Sequence, residues 1–137
     1  MDADEYNERL QTLIEMLVDL YSVIGKLFGL LPIPINIPAL WDEAQETGPE
    51  DANVIVTALT RARGMLMDLP IDPHVTALLN MAIVEWLGAF DMCALADANL
   101  RTHDAGALAY RLEVVWLAVG RVTHLTEHVK EHLRRDL

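Results

Sequence analysis

The sequence has one cysteine, few lysines and no long apolar run free of proline. Among its 137 residues only Cys93 is a cysteine, which excludes an internal disulfide framework and a zinc site built on cysteines. The longest uncharged run, residues 27–41, has 15 residues and contains three prolines. Because a membrane-spanning helix needs about 20 apolar residues, this run does not predict one.

Basic residues are also scarce. Ten of them oppose twenty-one acids, which gives a formal net charge of −11. Such a surface repels phosphate, so we expect neither a nucleic acid nor a membrane as partner. The chain starts with two acids in its first four residues instead of a basic segment, which predicts no signal peptide and a cytoplasmic location. Its many alanines and two lysines are typical of a GC-rich bacterial genome.

The hydrophobic pattern predicts an all-α fold. The length suits a single domain over residues 1–137, and 53% apolar residues argue against disorder. Apolar residues at helical spacing, with prolines and acids at helix starts, predict four helices, at about residues 3–31, 49–69, 73–100 and 104–135. Short connections after the second and third helices favour antiparallel neighbours, so we predict an up-down-up-down four-helix bundle.

The connection between the first two helices has its own pattern. In residues 32–38 isoleucine alternates with proline or asparagine, and each proline disfavours helix at the residue before it. We therefore predict an extended strip over residues 32–41 that lies across the first helix.

The first helix has an apolar surface wider than one pair of neighbouring helices covers. Gly25 and Gly29 add a small-residue pair that would allow close helix approach. We predict a homodimer interface here, formed by apolar residues of the helix and the strip, namely Leu20, Val23, Leu27, Leu30, Ile33, Ile35 and Ile37. The first functional hypothesis is thus a non-catalytic interaction or regulatory protein with no cofactor.

A second hypothesis is a small-molecule or catalytic site inside the bundle. Glu85 lies midway along the most apolar helix, where a carboxylate needs a partner or a raised pKa. Trp86, Tyr110 and Trp116 would form the walls of its cavity. Alternatively, Glu85 forms a structural ion pair, for which the candidate partners are Arg61, Arg63 and Arg111.

A third hypothesis is a metal site on the last helix. His124, His128 and His132 recur every four residues, so they share one helix face, and imidazole pairs at this spacing bind divalent ions. The alternative is a solvated face near a helix C-terminus, where positive charge is favourable. In an up-down-up-down bundle this face would also lie beside the acidic N-terminus.

Overall fold

The computed structural model describes residues 2–38 and 52–135, which contain four α-helices and no strand. They are α1 (Ala3–Gly29), α2 (Ala52–Met67), α3 (Pro73–Arg101) and α4 (Ala105–Arg135). The predicted all-α, four-helix fold is confirmed. Residues 39–41 of the predicted strip and the predicted start of the second helix at residue 49 lie outside the described residues.

Aspartates cap three of the helices. The Asp2 carboxylate accepts a hydrogen bond from the Glu5 amide, and Asp72 accepts one from the His74 amide, both at 2.9 Å. Asp104 accepts from the Ala107 amide at 3.2 Å. These bonds satisfy amides that have no partner within the helix, so short polar residues determine where α1, α3 and α4 begin.

The strip, here residues 32–38, turns back along α1. The Ile35 amide donates to the Phe28 carbonyl at 3.2 Å, and the Tyr21 hydroxyl donates to the Pro38 carbonyl. The Ile37 side chain lies 3.6 Å from the position that a Cβ atom on Gly25 would occupy. The strip therefore packs on α1 itself, as the sequence predicted.

The direction of α1 differs from the predicted alternation. Arg9 pairs with Glu113, which brings the first third of α1 beside the first third of α4, and Lys26 and Lys130 line one cleft near the ends of both helices. Thus α1 and α4 are parallel, whereas an up-down-up-down bundle makes them antiparallel. The cause is the strip, which runs back along α1 so that the chain enters α2 in the same direction as α1.

This direction also corrects a prediction about charge. The acidic start of α1 does not face the basic end of α4; the C-terminal ends of the two helices meet instead. Each of those ends carries basic residues, Lys26 on α1 and Arg134 on α4.

The core centres on α3, which packs against the other three helices. Its Trp86 Nε1 donates to the Leu17 carbonyl of α1 at 2.7 Å, and the start of α3 lies at the same cleft as the end of α1, so these two helices are antiparallel. The backbone of α2 comes close to that of α3 and of no other described helix. The side chains of α2 nevertheless join the common core, among them Ile55, Leu59 and Leu66.

Candidate functional site

Most of the predicted interface on the first helix is buried within the chain. Leu20, Leu27 and Ile35 are at most 8% exposed and belong to the core, while Val23 and Ile37 are half-buried. The prediction of a free apolar surface is therefore wrong for these residues. Leu20, Val23 and Leu27 lie where α1 packs beside α3 and α4, and Ile35 and Ile37 of the strip pack on α1. Only Leu30, 62% exposed, and Ile33, 54% exposed, remain at the surface.

The four residues of the predicted cavity face different sides of the bundle. Trp86 is in the core, and Glu85 lies in the groove between α3 and α4. Trp116 lines a groove between α1 and α4, and Tyr110 is exposed on α4. The structure does not bring these side chains together, because residues 110 and 116 lie about 120° apart around their helix.

Glu85 is held by an ion pair with a residue that was not among its predicted partners. Its Oε2 accepts from Arg121 Nη2 at 3.0 Å, whereas Arg63 donates to Asn80 and Arg111 donates to Asn99. The antiparallel register of α3 and α4 places residue 85 opposite residue 121. Both side chains are partly exposed, so the pair contributes only about 0–1 kcal/mol.

Trp86 belongs to an aromatic cluster that joins α1 to α3. Its ring stacks on Phe90 with centroids 5.3 Å apart, and Tyr21 lies at the same distance at a tilted angle. Burial raises the pKa of the Tyr21 hydroxyl to about 12, because the phenolate would lose its hydration. These contacts give Trp86 a structural role.

The three histidines of α4 divide into two groups. The Nε2 atoms of His124 and His128 lie 3.1 Å apart, close enough for both to reach one ion at the usual zinc–nitrogen distance of about 2 Å. His132 instead packs edge-on against His74 of α3, with ring centroids 4.8 Å apart. Within the described residues no group of three or more histidine, cysteine, aspartate or glutamate side chains converges on one point.

Cys93 is buried on α3, with 6% of its surface exposed. Burial raises the pKa of its thiol to about 11, since a thiolate would be poorly solvated there. The thiolate is the nucleophilic form, so Cys93 is not a candidate nucleophile.

A cluster of exposed apolar side chains lies on the outer side of α3 and α4. We call it the α3–α4 face and define it by four large apolar side chains, each between 46% and 53% exposed, which are Met81, Val84, Trp116 and Leu117. Leu117 and Gly120 line two neighbouring grooves, one of about 700 Å³ against α3 and one of about 520 Å³ against α1. The face is therefore continuous across three helices.

Sequence reasoning did not identify this face, because it placed a candidate site inside the bundle at α3, the most apolar helix, and not on the outer side of that helix. Apolar residues do surround α3, but its three neighbours leave Met81 and Val84 about half exposed. By length and composition α3 is apolar enough to cross a membrane; a core helix of a soluble bundle has similar properties. The sequence did contain an indication of this face, because the apolar residues of α3 extend around more of the helix than three neighbouring helices can cover.

Comparisons with known proteins found no matching protein family, curated protein or solved structure.

Proposed function

We propose that this protein is a non-catalytic interaction protein that acts as a homodimer through the α3–α4 face. The observation that carries the proposal is the cluster of half-exposed Met81, Val84, Trp116 and Leu117 side chains around the two grooves. Large exposed apolar patches mark interaction surfaces, since burying them releases about 25 cal/mol per Å². Tryptophan and methionine are enriched in such interfaces.

The charge of this face supports a second copy of the chain as its partner. Two molecules with a net charge of −11 repel each other over most orientations. At the α3–α4 face the central charges compensate each other, because Glu85 pairs with Arg121. A two-fold dimer centred on the groove between α3 and α4 would therefore bring apolar side chains into contact around a compensated ion pair, with Asp19 at the neighbouring groove as the acid to be kept apart from its copy.

The backbone at the face also allows close approach. Gly120 lies in the middle of α4, and a Cβ placed on it would have no neighbour within 4 Å. A glycine inside a helix costs about 1 kcal/mol relative to alanine, and nothing within the described part of the chain needs the space. A helix of the partner packed over Gly120 would use it.

The experiment compares the oligomeric state of the protein with that of Leu117→Asp by native mass spectrometry and light scattering. We expect a dimer for the unchanged protein and a monomer for the variant, with dimerisation weakened about 30-fold or more, since a buried hot-spot residue contributes at least about 2 kcal/mol. Leu117 is 51% exposed in the single chain, so the fold should survive, which circular dichroism checks.

Two further variants separate this face from other surfaces. Ile33→Asp introduces a charge at one of the two residues of the interface predicted on α1 that are still exposed. Met67→Asp introduces the same charge at the end of α2, where Met67 is 71% exposed. Both should remain dimeric. An unchanged protein that is still monomeric at about 100 μM, or a monomer produced by Ile33→Asp but not by Leu117→Asp, would contradict the proposal.

A further inference from the structure

A second surface feature is a cleft at the end of the bundle where α1 and α4 finish. We call it the end cleft. It lies between the last turns of α1 and α4, the 68–72 connection and the start of α3, and has a volume of about 690 Å³. That volume is within the range of ordinary small-molecule sites, about 300–1,000 Å³. Its walls are mainly apolar and include Val23, Leu30, Ile71, Val75 and Leu133.

The rim of the end cleft is basic, in contrast to the rest of the protein. Lys26, Lys130 and Arg134 line it, which is three of the ten basic residues of a chain with a net charge of −11. The single acid in its lining, Asp72, accepts the hydrogen bond that caps α3. The cleft thus combines local positive charge with an apolar interior.

The basic residues have few competing partners. Lys130 pairs with Glu127 at 3.4 Å, and Lys26 and Arg134 have no ion pair within the described residues. A basic residue in the last turn of a helix compensates the helix dipole, which accounts for Lys26 on α1 and Arg134 on α4. It does not account for an apolar cleft between them.

We infer that the end cleft binds an anionic amphiphile, that is, a carboxylate with a linear apolar chain. The head group would lie between the ammonium of Lys26 and the guanidinium of Arg134, which bind carboxylates by charge-assisted hydrogen bonds. The chain would lie against Val75 and Leu133. The site is separate from the α3–α4 face and does not depend on dimer formation.

The inference is tested by isothermal titration of the full chain with octanoate, decanoate and dodecanoate, each below its micelle concentration. Each added methylene should tighten binding about fourfold until the cleft is filled. Decanol tests the need for the charge, and decyltrimethylammonium tests its sign. We expect both to bind at least about tenfold more weakly than decanoate.

The matched variants remove charge from exposed positions. The double variant Lys26→Gln, Arg134→Gln should weaken decanoate binding about tenfold or more, while Arg101→Gln, an exposed base of α3 outside the cleft, should leave it unchanged. Leu117→Asp should also bind decanoate normally, which separates this inference from the dimer proposal.

Several results would overturn the inference. Equal or tighter binding of decyltrimethylammonium would mean that the acidic surface, and not the cleft, controls binding. Unchanged decanoate affinity in the double variant would remove the basic rim from the site. Sedimentation of the protein with phosphatidylglycerol vesicles, without binding of monomeric decanoate, would indicate a membrane surface in place of a cleft ligand.

Discussion

Replacing Tyr21 with phenylalanine tests how the strip is held on α1. The Tyr21 hydroxyl is buried and donates to the Pro38 carbonyl, and burial raises its pKa to about 12. At neutral pH the substitution removes one hydrogen bond and should lower the free energy of unfolding by about 1 kcal/mol.

The larger effect concerns pH. Between pH 10 and 12 the unfolded chain loses the Tyr21 proton while the folded protein keeps it, since the pKa of a solvated tyrosine is 10.0 and that of Tyr21 in the folded protein is about 12. Stability from this group is therefore complete below pH 10 and is lost as the pH rises toward 12. With these two pKa values the loss at pH 11 is about 1.4 kcal/mol.

The assay is urea denaturation of the unchanged protein and Tyr21→Phe at pH 8 and at pH 11. Cys93, whose pKa is also raised, loses stability in the same direction and contributes equally to both proteins. The variant should therefore lose about 1.4 kcal/mol less than the unchanged protein over this interval. Tyr110→Phe, at a side chain that is 65% exposed, is the matched control. An equal loss in Tyr21→Phe and the unchanged protein would refute the reasoning.

Three further predictions follow from burial and capping. Leu27 is 1% exposed, so Leu27→Asp should unfold the protein and Leu27→Ala should lower the free energy of unfolding by about 2–5 kcal/mol. Leu30→Ala, at an exposed position, should change it by less than about 0.5 kcal/mol. Urea titration measures the stability of both alanine variants. Asp72→Ala removes the cap of α3 and should lower stability by about 1 kcal/mol, with a melting curve as readout. Cys93 should react with iodoacetamide at pH 8 far more slowly in the folded protein than in urea; equal rates would show that the thiol is accessible.

The helices themselves were predictable from the sequence because their signals are local. Asp72 followed by Pro73 marks the start of α3, and the spacing of apolar residues marks the buried side of α1. These signals depend on residues three or four positions apart, so no knowledge of the fold is needed. The extended strip was equally readable, because proline acts on its immediate neighbour.

The direction of α1 was not predictable in this way. A short connection forces an antiparallel pair, as in α2–α3 and α3–α4, but the connection after α1 is long enough for either direction. The partner of Glu85 depends on the register between α3 and α4, and the burial of Leu27 depends on how α1 packs beside these two helices. Each of these is a long-range property, which explains why the predicted interface on α1 and the predicted Glu85 cavity did not match the structure.

The central position of α3 has a consequence for how the native protein opens. Because α3 packs against all three other helices, the backbone amides in its middle should exchange with deuterium only when the whole bundle unfolds. The backbone of α2 approaches α3 alone, and α2 has only 16 residues. Release of α2 therefore breaks fewer contacts than global unfolding, and its amides should exchange first, as a separate cooperative unit, while α1, α3 and α4 stay folded.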